Sequence, residues 1–520
     1  MIDGDGRDTT LDPALAPTAR SGPAVTARVL AGHLRASRGS MLFAVGVVLP
    51  RAAGLLSVPI YTRVLGPEDF GRYELVISLV ALLYAVCLVG MDFAISVRFF
   101  ELAEPDRRID LATALLVSGI VSLSVSAILV AFSGFLGPLA LQSSGGGLPF
   151  LIAIASVPAN VLAAVLAMYM RLRFRSSGFF IAMVGGAIVG TGVGIVLVFA
   201  LGLGLVGAVL GVAVSNGLTL LLLLAGCRGL LKPDRHPDKD RVATLVRTGA
   251  PLVPAYASSW VFALADRFFV SAFLGFAQLG LYAAAARLGT ILTLLQFGFH
   301  AAWGPTALRW GADPDRERRY EASLRLIAIA GGATAAIASW LAGPLLWILA
   351  GPNYVGAADV VWLLAGSALF LAMFYAVQIG ANLAKRGDRV ATATIIAAAV
   401  NTGANLALIP RLGYVGAGWA TLMAYVAAYF VMYRMSQTVT AMRLGFLNAT
   451  AWAIAWTVVA AGSTVVSDGL RPILGLGVIA VAAVAALWAI YSAAPILARP
   501  SALVTAVPDS VSSFPDIEVL

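Results

Sequence analysis

The sequence is a succession of apolar runs, each about the length a helix needs to cross a bilayer, separated by short polar loops. A hydrocarbon core of about 30 Å takes roughly 20 apolar residues in a helix. Read with that ruler, the chain holds fourteen such runs, at about 41–62, 75–96, 111–134, 148–170, 179–200, 205–225, 249–271, 279–301, 324–348, 359–381, 391–410, 414–433, 447–466 and 473–494. In lipid every backbone polar group must find a partner inside the segment, so these runs are helices; they are too long for barrel strands. The expected class is an all-α polytopic membrane protein. Composition agrees: 60% of residues are hydrophobic and 12% charged, against roughly 25% charged in soluble domains.

Within this pattern the chain repeats itself. Leu65 to Tyr73 reads LGPEDFGRY and Leu274 to Tyr282 reads LGFAQLGLY, so Gly66 maps to Gly275 with a step of 209. LGLVGA at Leu203 and LGYVGA at Leu412 give the same step, and so do Gly178 in RSSGF and Gly387 in KRGDR. Runs 1–6 (39–226) and runs 7–12 (249–435) therefore read as two six-helix bundles. Six crossings separate the copies, an even number, so the repeat is parallel. Runs 13 and 14 (436–495) are an appended pair. The loop at 227–248 is long and charged and suits a linker between the halves.

Lys and Arg concentrate in alternate loops: Arg107 and Arg108; Arg171, Arg173 and Arg175; Lys232 to Arg241; Arg316 to Arg319; Lys385 to Arg389. The intervening loops 135–147, 201–204, 272–278 and 349–358 carry none. Positive loops stay cytoplasmic, which places both termini inside and LGPEDFGRY outside. The net charge of +9 is spread over these loops and does not point to a nucleic-acid partner. Residues 1–38 read as a disordered arm ending in a basic stretch (24–38), which either forms a short amphipathic helix on the membrane surface or stays unstructured. Residues 496–520 read as a cytoplasmic tail. Cys87 and Cys227 lie in different environments and form neither a disulfide nor a metal pair.

Prolines inside runs favour kinks. Pro50 and Pro59 fall in run 1, Pro251 and Pro254 in the equivalent run 7, and Pro158 in run 4. Ionisable residues at membrane depth are expensive, and face a cavity or a partner. Arg51 lies near the middle of run 1. Arg267 lies in run 7 and Arg287 in run 8. An arginine stays charged and presents a planar fork of donors suited to phosphate, so these three are the candidate substrate-binding residues for an anionic headgroup. Asp92, Asp266 and His300 are candidates for ion coupling or for structural ion pairs; Asp266 paired with Arg287 would lock runs 7 and 8 together. Glu74, at the start of run 2, reads as interfacial. Close helix packing is the expected role of the glycines clustered in run 5.

The sequence has no GxxxxGK[ST], no HExxH and no Cys/His metal cluster, so neither ATP hydrolysis by a P-loop nor zinc hydrolysis is expected. No enzyme activity, metal or cofactor is expected. The runs LLSVPIYTRVLGPEDFGRYELVISLVALLYAVCLVGMDFAISVRFF (55–100), LADRFFVSAFLGFAQLGLYAAAARLGTILTLLQFGFHAAWGPTA (264–307) and LGYVGAGWAT (412–421) resemble the polysaccharide transporter, O-antigen flippase-like branch of the multidrug/oligosaccharidyl-lipid/polysaccharide exporter superfamily. That resemblance implies two bundles around a central cavity and alternating access. It implies a polyprenyl-pyrophosphate-linked oligosaccharide as cargo, moved from the inner to the outer leaflet of a bacterial cytoplasmic membrane. H+ or Na+, and a membrane polymerase or glycosyltransferases, are further partners to consider. The alternatives are a cation-coupled drug exporter of the same superfamily, which would rest on Asp92, Asp266 or Glu74, and a non-transporting scaffold for glycan enzymes.

Overall fold

Apolar runs without alternation fold into helices, and among the described residues the computed structural model is all-α. The structure describes residues 23–231, 237–466 and 470–497. The expected arm at 1–22, the tail at 498–520 and linker residues 232–236 lie outside the described residues. The helices in chain order are α1 (Pro23–Cys87), α2 (Met91–Arg98), α3 (Glu104–Ala131), α4 (Ser133–Leu141), α5 (Gly147–Ala155), α6 (Val157–Leu172) and α7 (Ser176–Phe199). Next come α8 (Gly204–Gly226), α9 (Lys239–Gly249), α10 (Val253–Leu264), α11 (Asp266–Leu274), α12 (Phe276–Trp310), α13 (Arg316–Leu326) and α14 (Gly332–Trp340). The last are α15 (Ala342–Leu349), α16 (Ala358–Val377), α17 (Ile379–Leu383), α18 (Gly387–Leu412), α19 (Tyr414–Val439), α20 (Phe446–Val465) and α21 (Arg471–Leu497).

Among the described residues, eleven helical stretches are long and apolar enough to cross a membrane, or twelve if the bent pair Lys239–Leu264 and Asp266–Leu274 counts as one span. The chain is a multi-pass membrane protein. Two expected runs share α1, which Gly66 breaks between them at φ 70°, ψ 176°. Gly275 has nearly the same backbone, φ 83°, ψ 176°, between α11 and α12. Positive φ of this kind is open to glycine and strained for other residues. Gly178 and Gly387 are not structural equivalents. Gly387 opens α18 while Gly178 is the third residue of α7, and the left-handed residues just before these helices, Phe174 and Lys385, stand 211 apart.

Several expected helices are broken or extended. Run 4 is interrupted at Ser156, and Pro158 occupies the first turn of α6, where its missing N–H does no harm. Run 7 has a 3₁₀ turn at Ala250–Leu252 around Pro251. Its larger bend, 49°, comes at Ala265 with no proline there. The loop expected at 135–147 contains part of α4. The linker contains α9, whose N-cap Asp238 accepts from the Arg241 N–H at 2.7 Å. The helix from Pro23 continues into run 1 without a break, so no separate surface helix forms at 24–38.

The loops sort by charge. Arg241 of α9 donates to Asp106 at 2.7 Å and to Asp110 at 3.0 Å, and Arg98 takes the other Asp110 oxygen at 3.0 Å. Arg173 pairs with Glu104, and Arg175 donates to the Gly226 carbonyl. At the opposite end Arg63 donates to the carbonyls of Trp347 and Ile348, Arg72 to Leu141 and Tyr354 to Thr62. The basic loops meet at one end of the molecule and the plain loops at the other. Between them small residues set helix spacing, as run 5 implied: a Cβ on Gly190 of α7 would lie 2.4 Å from Ser215 Cβ of α8, which only a glycine permits.

Candidate functional site

α1 carries the lone arginine of the VVLPRAAGLL stretch, 15 residues before Gly66, or about 22 Å below the plain-loop end at the helical rise. The Arg51 side chain is exposed. Its Nη1 donates to the Val47 carbonyl at 3.0 Å, and it lies within electrostatic reach of Tyr375 on α16. α16 belongs to the second set of runs, so this guanidinium stands where the two sets face each other. Tyr375 in turn lies within electrostatic reach of Tyr425, and Tyr425 of Asp266 and Arg267.

Arg267 and Arg287 do come together, and they converge on Glu74. Arg287 Nε lies 3.0 Å from Glu74 Oε1, with Nη2 closer still on the same oxygen. Arg267 Nε lies 3.5 Å from Glu74 Oε2. Asp266 accepts from the Arg267 backbone N–H at 2.8 Å, from Arg267 Nη1 at 3.2 Å and from the Tyr282 hydroxyl. Two guanidiniums and two carboxylates make the cluster neutral. Glu74 is 3% exposed and Asp266 8%, while Arg287 keeps 23%. Charges so far from water persist only when paired and hydrogen-bonded. Counted from Gly66 and Gly275, these residues sit about 10–18 Å below the plain-loop end, well inside the hydrocarbon depth.

Two sequence expectations need correction here. Asp266 does not pair with Arg287; it is held by Arg267 beside it and by Tyr282, while Arg287 reaches Glu74 of α1. Glu74 is not interfacial; the helix beyond Gly66 dips inward, so its eighth residue lies deep against α11 and α12. Asp92, half-buried on α2, accepts from the Tyr256 hydroxyl at 3.3 Å and so joins α2 to α10. The His300 side chain lies outside the described residues. Among the described residues no group of three or more His, Cys, Asp or Glu is placed to hold a metal ion.

The aromatic residues nearby are largely structural. Trp260 Nε1 donates to the Ser78 carbonyl at 2.9 Å and meets Phe268 edge-on, while Phe262 is buried with its ring 4.2 Å from Tyr425. Trp303 is also buried. The partly buried Tyr375, which sequence reasoning missed, is the aromatic within electrostatic reach of Arg51. Its only signal was a tyrosine in an apolar run, which packing explains as readily.

The fold is shared with known transporters. The Lipid II flippase MurJ, in an inward closed conformation, superposes with a TM-score of 0.68 at 14% identity, covering 88% of this chain and 100% of that one. An inward-facing multidrug resistance MATE family transporter of the MOP superfamily gives 0.64 at 16% identity, covering 78% and 99%. A MOP superfamily transporter from Pyrococcus furiosus gives 0.57 at 15%, covering 80% and 96%. No curated protein sequence matches the chain. The model of the family described as polysaccharide biosynthesis protein matches residues 36–309, more than half of the sequence. With that match, and with membrane-spanning helices in a fold shared with known transporters, the chain belongs to the polysaccharide biosynthesis protein family.

Proposed function

We propose that the protein flips a polyprenyl-pyrophosphate-linked oligosaccharide from the cytoplasmic to the outer leaflet of a bacterial cytoplasmic membrane, by alternating access, for cell-surface polysaccharide synthesis. The observation that carries this reading is Arg51: an exposed guanidinium in an apolar helix, facing the second set of helices at membrane depth. A sugar headgroup cannot enter hydrocarbon unaided, because each unpaired polar group costs several kcal/mol. A wet passage between the halves shields it while the prenyl tail stays in lipid. In this reading Arg51, with Arg267 and Arg287 once released from Glu74, holds the pyrophosphate.

The topology we propose has fourteen spans. Gly66 makes α1 two crossings, α9 to α11 form one bent crossing, and the 35-residue α12 forms another. The repeat is supported by the matching backbone of Gly66 and Gly275 and by left-handed Gly204 and Gly413, all 209 apart. The basic-loop end is then cytoplasmic, and both termini lie there. Asp92, Asp266 and His300 remain proposed for coupling to H+ or Na+. Cells lacking the protein should accumulate a lipid-linked glycan on the inner leaflet. Normal surface polysaccharide with no such accumulation would refute the proposal.

A further inference from the structure

Glu74 does something the headgroup site does not itself require. Of the two carboxylates in the buried cluster, Asp266 is satisfied by its own neighbours, the Arg267 backbone N–H and Tyr282. Glu74 alone comes from the first set of helices, and it offers one oxygen to each guanidinium of the second. Two oxygens facing two guanidinium forks is the arrangement a phosphate group takes with arginines.

Just beyond the cluster lies a close helix crossing. α1 and α12 cross so closely that a Cβ on Gly71 would fall 2.0 Å from the Phe276 carbonyl oxygen, and one on Gly280 1.9 Å from that of Pro67. Glu74 stands one turn from Gly71, and Arg287 two turns from Gly280. Any parting of this crossing must pull Glu74 away from Arg267 and Arg287.

Resting on the reading of Arg267 and Arg287 as headgroup ligands, the geometry points to Glu74 as the chain's own stand-in for the substrate's diphosphate: it holds both arginines and latches the crossing, and an arriving diphosphate displaces it. The charge balance favours this exchange for a diphosphate. With Glu74 in place the cluster is neutral; with Glu74 withdrawn and Asp266 retained it is positive. A monoanion only replaces the lost charge, whereas a diphosphate brings more than it replaces. Headgroup loading and release of the plain-loop end thereby become one event, and small monoanions fail to trigger it.

The test uses purified full-length protein with inorganic pyrophosphate as the probe and chloride as the monoanion control. Glu74→Gln removes the internal competitor and should bind pyrophosphate about tenfold or more tightly than wild type. Glu74→Asp should bind with an affinity near wild type. Spin labels at Glu68→Cys and Ala277→Cys, exposed positions flanking the crossing, report its width; Cys87 and Cys227 are buried. The label distance should lengthen in wild type on adding pyrophosphate but not chloride, and in Glu74→Gln without any ligand. If Glu74→Gln does not fold, the wild-type distance with and without pyrophosphate decides the question alone. Equal affinity in wild type and Glu74→Gln, or a distance that pyrophosphate leaves unchanged, overturns the inference. Should the protein still flip lipid-linked glycan in vesicles while either negative result holds, the inference alone is lost. Absence of flipping removes the reading beneath it.

Discussion

Gly71→Ala tests the crossing of α1 and α12 most sharply. The added methyl would sit 2.0 Å from the Phe276 carbonyl oxygen and 3.0 Å from the Gly280 nitrogen, and both are backbone atoms that cannot rotate away. Reaching an ordinary separation of 3.4 Å means moving the helices apart by about 1.4 Å. Overpacking of this kind costs about 1–3 kcal/mol. Gly54→Ala on the same helix is the control. Its Cβ meets nothing within 4 Å, and exchanging glycine for alanine in a helix gains up to about 1 kcal/mol. Thermal unfolding of the purified protein should show Gly71→Ala less stable and Gly54→Ala unchanged or slightly more stable. The Glu68–Ala277 label distance should lengthen only in Gly71→Ala. A Gly71→Ala protein with wild-type stability and wild-type distance would refute the close crossing.

Further expectations follow from single contacts. Arg51→Ala should abolish glycan export while leaving membrane insertion intact, and Arg51→Lys should restore it in part, since a lysine keeps the charge but not the planar fork; surface polysaccharide assays read both. Asp110→Asn should destabilise the protein by about 1–3 kcal/mol, because Arg98 loses its carboxylate partner and Arg241 keeps only Asp106; chemical unfolding measures this. Tyr282→Phe should cost about 1–2 kcal/mol by removing a donor from buried Asp266, again read by unfolding. If Asp92, Asp266 or His300 couples transport to an ion, collapsing the proton or sodium gradient should slow export; export indifferent to both gradients rules coupling out.

Much of the architecture was legible because membrane helices announce themselves by length and apolarity, and because Gly66 and Gly275 occupy a backbone conformation that other residues seldom adopt. The alternation of Arg-bearing and plain loops also carried over to the structure, where Arg241 meets Asp106 and Asp110 at one end and Arg63 meets Ile348 at the other. The ion pairs were less legible. Glu74 lies 193 residues from Arg267 and 213 from Arg287, and nothing local fixes the helix rotations that join them. A run-length ruler stops at a charged residue, so it left Glu74 at the surface when the helix beyond Gly66 carries it inward. The 49° bend at Ala265 has no proline to signal it. It comes where Asp266 begins α11 and accepts from Tyr282 of α12, a contact between helices. Gly178 and Gly387 matched in sequence by the accident of a common residue, since the helices they mark begin 211 residues apart.

Reconstitution into vesicles with a fluorescently tagged polyprenyl-pyrophosphate glycan tests the central claim most directly. Tagged lipid spread over both leaflets should become fully open to an external membrane-impermeant quencher when wild-type protein is present and remain about half protected, in the inner leaflet, with Arg51→Ala. Wild-type vesicles that protect their inner leaflet as well as protein-free ones, or Arg51→Ala vesicles that equilibrate as fast as wild type, would contradict the account.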